Sequence, residues 1–236
     1  MPPDALRNPT LATTGALIAL SCKWKRDAEF LTDDEDRLTG RTTLEAITRV
    51  AGGLRTLGIG KGDVVAFLCG SSVRHAVGFF AAQWIGAVPS ALHVRETADR
   101  LVATTQWLEA KLLFFDDAFA AVAEQVRSTC GDAVTLIALQ DDPDGLADRR
   151  WQDLAAAEPA PMADVGPEDP AVIILSSGTT GAPKGVVHLH RTLCAAARSC
   201  QAIYGPTEPR PRRRAPCRRA CCPRVRSGRR SPDSCA

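Results

Sequence analysis

The chain contains no uninterrupted apolar run of the roughly 18–20 residues that a membrane-spanning helix requires. Nothing in its 236 residues therefore predicts an integral membrane protein. The first apolar segment, "LATTGALIALSC" at residues 11–22, has no basic cluster before it and no small-x-small cleavage site after it. We therefore predict no signal peptide.

Disulfide and zinc patterns are also missing, although the chain has nine cysteines. Near the C-terminus, "CRRACC" contains no C-x-x-C pair and has no histidine nearby, so zinc binding is disfavoured. Five other cysteines lie in apolar or helical surroundings: Cys22, Cys69, Cys130, Cys194 and Cys200. We interpret these five as buried free thiols, which predicts a protein of the reducing cytoplasm.

Acidic residues are nearly absent from residues 209–236, which hold ten arginines, five prolines and four cysteines but only one acid, Asp233. Val225 is their one large aliphatic residue, so they cannot bury a core and we predict that the tail 205–236 is disordered. This composition is also typical of a GC-rich gene read in a shifted frame, which is the interpretation we favour. The alternative is an arginine-rich arm for nucleic acid, although interleaved aromatics are missing.

The body before the tail alternates between helix-like and strand-like segments. After Thr42 apolar residues recur at helical spacing, with a predicted capping box of Thr42 and Glu45 and a predicted stop at Gly58. Further helices are expected near 73–86, 96–109, 118–128, 151–157 and 190–203. Strands are expected at 63–69, in "AVPSAL", and at 111–116, 133–139 and 171–177, with a hairpin at 30–39. The alternation predicts an α/β fold whose largely parallel sheet is layered with helices.

The stretch "SSGTTGAPKG", Ser176 to Gly185, follows the last of these strands. Its glycines allow successive backbone N–H groups to point into one concavity, which suits an anion. Hydroxyl side chains add donors, and Lys184 adds a mobile positive charge. In open α/β sheets, ligands bind at the carboxyl ends of strands. The stretch therefore predicts a polyphosphate site.

Two well-known loop motifs do not fit this stretch. A Walker A loop has Gly before its Lys and Ser or Thr after it, whereas Pro183 and Gly185 flank Lys184. There is no G-x-S-x-G elbow, so Ser176 and Ser177 are not expected to be hydrolase nucleophiles. From composition alone, a flexible surface turn without a function remains an alternative.

Residues 173–184, "IILSSGTTGAPK", match the signature of the adenylate-forming, AMP-binding superfamily, which includes acyl- and aryl-CoA synthetases. Residues 51–93 and the segment "EAKLLFFDD" also resemble that superfamily in order and spacing. The resemblance extends from about residue 28 to 204. It implies an N-terminal extension at 1–27, a partial AMP-binding domain at 28–204 that is the N-terminal part of the superfamily's large domain, and the tail at 205–236.

The resemblance implies ATP-dependent activation of a carboxylic acid, with Mg²⁺ assisting, to an acyl-adenylate and then to a thioester of coenzyme A. The cofactor-binding positions that it implies are Ser176, Ser177, Gly178, Thr179, Thr180, Gly181 and Lys184. Lys184 would neutralise the phosphates that leave as pyrophosphate. His190 matches a histidine that often follows the motif, and we favour a structural role for it at a helix start.

Several catalytic parts of the superfamily have no match in this sequence, among them the adenine motif, the ribose aspartate and the lysine of the small C-terminal domain. "YGPTE", residues 204–208, resembles the adenine motif but follows the loop too closely, so we interpret it as a decoy. We therefore predict an inactive fragment, and we assign no catalytic or metal-binding residue to it. The alternative is a non-enzymatic, nucleotide-binding-like body with an arm for nucleic acid.

Overall fold

The computed structural model describes residues 12–140, 142, 145–177 and 183–204, with the backbone alone at Ser177, Pro183 and Tyr204. The helices are α1 (Thr14–Trp24), α2 (Gly40–Thr56), α3 (Val73–Trp84), α4 (Ala98–Trp107), α5 (Ala120–Cys130), α6 (Trp151–Ala155) and α7 (His190–Tyr204). The strands are β1 (Glu29–Thr32), β2 (Arg37–Thr39), β3 (Val64–Leu68), β4 (Val88–Ala91), β5 (Leu112–Phe115), β6 (Thr135–Ala138), β7 (Arg149–Arg150), β8 (Pro170–Ser177) and β9 (Pro183–Leu189). None of the helices in these ranges is both long enough and apolar enough to cross a membrane. The predictions for residues 205–236 lie outside the described residues.

The central sheet has five parallel strands in the order β4-β3-β5-β6-β7. β3 pairs with β4 on one side and with β5 on the other. Parallel neighbours need crossover connections, which α3, α4 and α5 supply. The α/β prediction is confirmed, and the strands expected at 63–69, 111–116 and 133–139 correspond to β3, β5 and β6.

Both faces of this sheet are buried, because successive residues of a strand point to opposite sides. One apolar cluster combines α2, α3 and α6 with the strand residues Val65, Phe67, Leu112, Phe114 and Ile137. The other combines α4 and α5 with Ala66, Leu68, Leu113, Phe115 and Leu136. Burial on both faces explains why these strands have continuous apolar sequences instead of alternating ones.

Helix α2 begins earlier than its sequence pattern predicts. Its N-cap is Thr39, whose hydroxyl accepts from the Thr42 N–H at 3.3 Å, while the Thr42 hydroxyl accepts from the Thr39 N–H at 2.9 Å. The predicted box of Thr42 with Glu45 is therefore wrong, because Thr42 already occupies the third helical position. The predicted stop is confirmed: Gly58 has a φ of 78°, in the left-handed region that glycine readily adopts.

The hairpin predicted at 30–39 is confirmed as the antiparallel pair β1–β2. Its acidic turn is organised by Asp33, whose carboxylate accepts from the N–H groups of Glu35 and Asp36 and from that of Val73 at 2.7 Å. Val73 is the first residue of α3, so the hairpin is attached to the carboxyl edge of the central sheet. These backbone donors, that of Val73 foremost, lower the pKa of Asp33.

Helix α1 packs against α2 and α7, and its Cys22 is buried. The division between an extension and a domain at residues 27 and 28 stays a prediction. This boundary would assign α1 to the extension and would assign α2 and α7, on which α1 packs, to the domain.

The strand β8 is not part of the parallel sheet among the described residues. It pairs with β9 in an antiparallel hairpin beside β4. The helix predicted near 190–203 is confirmed as α7, and the strand β9, which was not predicted from the sequence, lies between it and the loop. Pro183 and Gly185 weaken the strand signal of "PKGVVHL", and pairing with β8 overrides it.

The glycines of α2 allow the segment after α6 to cross this helix at close range. A Cβ atom at Gly52 would lie 1.9 Å from the Glu158 carbonyl oxygen. That segment is held there by the Ala160 N–H, which donates to the Thr48 carbonyl oxygen at 2.9 Å.

Overpacking at Gly52 costs about 2 kcal/mol, which exceeds the gain of about 1 kcal/mol that alanine brings to a helix interior. We therefore predict that Gly52→Ala lowers the free energy of unfolding by about 1 kcal/mol in net terms. Chemical denaturation followed by circular dichroism measures the change. Gly60→Ala is the matched control, since a Cβ atom there meets no atom within 4 Å. An equally stable Gly52→Ala protein would contradict the close crossing.

Candidate functional site

The predicted phosphate loop joins the two strands of the β8–β9 hairpin. Ser176 lies opposite Lys184 and Leu175 lies opposite Gly185. The Ser176 hydroxyl donates to the Lys184 carbonyl oxygen over 3.5 Å. Outside the described residues lie the other predicted positions: the side chain of Ser177, and Gly178, Thr179, Thr180 and Gly181. The structure thus brings Ser176 and Lys184 together at the base of the loop, and ligand binding by the seven positions stays a prediction.

Lys184 presents an exposed positive charge at this base. Lys61 and Lys111 are neutralised by Asp169 and Asp63, each at 2.6 Å. Within the part of the chain that the structure describes, the Lys184 ammonium group has no salt-bridge partner. A lysine without a salt-bridge partner among the described residues, at the base of a loop rich in hydroxyl side chains, suits a phosphate ligand.

A cleft of about 250 Å³ opens beside Ser176, between β8 and the beginning of α4. Its lining residues are Leu92, His93, Glu96, Arg100, Leu101, Thr104, Leu175 and Ser176. Glu96 and Arg100 form an ion pair of 3.0 Å at its rim. The cleft offers polar groups of both signs next to the loop, so a ligand larger than pyrophosphate could extend into it.

His190 begins α7 and is 1% exposed. Its Nδ1 accepts from the Thr14 N–H at 3.3 Å and lies 2.9 Å from the Thr14 hydroxyl oxygen. An accepting Nδ1 places the proton of the neutral ring on Nε2, which has no partner within the described residues. This geometry, which joins α7 to α1, supports the structural role predicted for His190.

The surroundings of His190 explain its protonation state. Burial lowers the pKa of His190, Asp169 opposes this shift, and Lys61 adds to it. Asp169 is close because its carbonyl oxygen accepts from the His190 N–H at 3.1 Å, while its carboxylate pairs with Lys61. Sequence reasoning missed this cluster, since 176 positions separate Thr14 from His190.

The five cysteines outside the tail are free thiols. Cys22, Cys69 and Cys194 are buried as predicted, and burial raises the pKa of Cys22 to about 11. The prediction of burial is wrong for Cys200, which is exposed, and Cys130 is half-buried. Among the described residues, no group of three or more His, Cys, Asp or Glu could hold a metal ion.

Comparison with known proteins shows what this arrangement resembles. A family profile described as "AMP-binding enzyme" matches residues 19–221. 4-Coumarate–CoA ligase 2 of Oryza sativa subsp. japonica is 35% identical over 173 residues, which are 66% of this chain and 30% of that protein. The 3-hydroxybenzoate–CoA/4-hydroxybenzoate–CoA ligase of Thauera aromatica is 32% identical over 174 residues, which are 72% of this chain and 33% of that protein. The chain spans about a third of the length of these relatives.

Solved structures agree with these matches. A benzoate CoA ligase from Burkholderia xenovorans LB400 superposes with a TM-score of 0.69 at 25% identity, covering 78% of this chain and 36% of that one. A Mycobacterium tuberculosis fatty acyl CoA synthetase gives a TM-score of 0.68 at 24% identity, covering 83% and 38%. The second match shows the same fold.

We predict that the protein becomes less stable as the pH is lowered, because of the titration of His190. Its pKa in the folded protein lies below the ordinary value of 6.5, so below that pH the unfolded chain binds a proton that the folded chain resists. The free energy of unfolding should fall from pH 6.5 downwards, by up to about 1.4 kcal/mol per pH unit, until the folded pKa is reached.

Denaturant titrations of the His190→Asn protein between pH 5 and pH 8, roughly the range in which histidine titrates, measure this contribution. The asparagine oxygen can still accept from Thr14, but it does not titrate, so the slope should decrease. His188→Asn, the same substitution on the half-buried neighbouring histidine, is the matched control. An unchanged slope in His190→Asn would assign the pH dependence to other groups.

Proposed function

Because the chain belongs to the AMP-binding enzyme family, we propose that it serves the ATP-dependent activation of a carboxylic acid. A carboxylate oxygen bonds to the α-phosphorus of ATP, the bond from that phosphorus to the bridging oxygen breaks, and pyrophosphate leaves. The thiol of coenzyme A then displaces AMP from the acyl carbon, forming a thioester. The chain spans about a third of its relatives' length. We therefore propose this activity for a protein of the relatives' full length, and not for these 236 residues alone.

One observation carries the proposal: Ser176 and Lys184, which has no salt-bridge partner among the described residues, lie opposite each other where the hairpin loop begins and ends. Phosphoryl transfer depends mainly on positioning and on the neutralisation of charge. We assign the Lys184 ammonium group to the β- and γ-phosphates of ATP and the Ser176 hydroxyl to a hydrogen bond with them. The hairpin would hold both groups in place before the reaction begins, which is the usual source of electrostatic catalysis.

The other cofactors enter the proposal differently. We propose that Mg²⁺, when bound together with ATP, would help to neutralise the phosphate charge beside Lys184. Coenzyme A is proposed from the names of the relatives, as is the class of carboxylic acids. With its buried free thiols, the protein is expected in the cytoplasm.

The 236-residue chain alone is expected to bind polyphosphate weakly and to form no adenylate. Its described part contributes one unpaired lysine at the loop, and contacts to phosphate alone supply only part of a nucleotide's binding energy. We expect a dissociation constant for ATP in the millimolar range, on the order of 4 kcal/mol of binding free energy. Pyrophosphate release with any carboxylic acid and coenzyme A would contradict this expectation.

We predict that Lys184→Ala weakens the binding of inorganic pyrophosphate by about tenfold, equivalent to about 1.4 kcal/mol, because a charge-assisted contact is lost. Lys184→Arg should retain most of the affinity. Isothermal titration calorimetry at low salt measures both. Lys23→Ala removes another exposed lysine, on α1, and controls for the loss of net charge. If Lys23→Ala weakens binding equally, the effect is unspecific and the loop is not the site.

A further inference from the structure

The last residue of α4, Trp107, lies against the strand that leaves the loop. A Cβ atom at Gly185 would be 3.0 Å from Cη2 and 3.3 Å from Cζ3 of the indole. The ring therefore covers the Gly185 backbone, although 54% of Trp107 is exposed. Any residue larger than glycine at position 185 would displace the indole or the Ile173 side chain, which also lies 3.0 Å from that Cβ position.

Helix α4 also supports the strand that enters the loop. Thr104, one turn before Trp107, lines the same cleft as Leu175 and Ser176. Ile173 and Leu175 of β8 pack against the apolar cluster that contains Leu101 and Leu108. The helix thus lies beside both strands of the hairpin at the base of the loop.

The end of α4 is held in a defined position. Leu108 follows Trp107 and is 7% exposed, and Ala110 is 3% exposed. Between them, Glu109 adopts a φ of 50°, the left-handed conformation that reverses the chain at a helix end. Its N–H donates to the Gln106 carbonyl oxygen at 2.9 Å. Because burial and this hydrogen bond hold the backbone that follows Trp107, the position of the indole against Gly185 is well defined.

We propose that Trp107 is a positioning residue for the phosphate loop. Residues 184 and 185 of a strand point to opposite faces, so the indole packs on one face while Lys184 extends from the other. By holding Gly185 against Ile173, Trp107 keeps β9 paired with β8 and keeps Lys184 opposite Ser176. This role rests on the proposed function only in its ligand, a polyphosphate; the anchoring itself is a property of the hairpin.

Limited trypsin digestion tests the anchoring. Cleavage between Lys184 and Gly185 requires the hairpin to open locally, and the new N-terminus at Gly185 can be quantified by mass spectrometry. Trp107→Ala should accelerate this cleavage by about tenfold relative to cleavage after Arg55, at the end of α2, while Trp107→Phe should stay within about twofold of the parent chain. Trp24→Ala removes another exposed tryptophan, on α1, and should leave the rate unchanged.

Gly185→Ala provides a second and independent variant. It should also accelerate cleavage after Lys184, because the new methyl group meets the indole and Ile173. In the Trp107→Ala background its additional effect should be less than half as large, since one of its two close neighbours is gone. Fully additive effects would mean that Trp107 and Gly185 do not act through each other, which would overturn the proposal.

Binding of inorganic pyrophosphate separates the anchoring from the function. If both proposals hold, Trp107→Ala weakens pyrophosphate binding at least fivefold and Trp107→Phe restores it, although neither removes a phosphate ligand. If the parent chain does not bind pyrophosphate but Trp107→Ala still opens the hairpin, the anchoring stands and the proposed assignment of Lys184 and Ser176 to phosphate falls. Equal acceleration at all tryptic sites, or unchanged cleavage after Lys184, would refute the positioning role.

Discussion

The architecture depends on the burial of three neighbouring strands on both of their faces. β3, β5 and β6 send alternate side chains into two separate apolar clusters, and every helix from α2 to α6 packs on one of them. At about 25 cal/mol for each Å² of buried apolar surface, this burial is the main stabilising contribution that the chain can make. The hairpins occupy the borders of this core.

This double burial also explains how much of the fold could be predicted from the sequence. A strand that is buried on both sides has a continuous apolar sequence between turn residues, and a helix beside it has a periodic one. β3, β5, β6, α2 and α3 carry such sequences, so their type and approximate limits could be predicted. The strand β9 could not, because its residues gain their conformation from pairing with β8 and not from burial.

The candidate site also has one part that could be predicted from the sequence and another that could not. The residues of the loop are close together in the sequence, so their chemistry and their resemblance to a known signature could be recognised without a structure. The contacts of Trp107 with Gly185 and of Thr14 with His190 join residues far apart in the chain. Neither pair has a sequence signal, because a tryptophan at a helix end or a threonine near a helix start is compatible with many environments.

The attachment of Asp33 to α3 has a consequence for where this fold can handle ligands. In open α/β sheets, the crevice at the carboxyl ends of the strands where the chain order reverses, here between β3 and β5, usually receives the ligand. In this chain two carboxylates already occupy its backbone donors: Asp33 accepts from Val73, and Asp116 accepts from Gly70 at 2.6 Å. A phosphate arriving there would have to displace these two carboxylates from the N–H groups of Val73 and Gly70. Two of the backbone donors in this crevice are therefore already in use, which agrees with our proposal that phosphate binds at the β8–β9 hairpin instead.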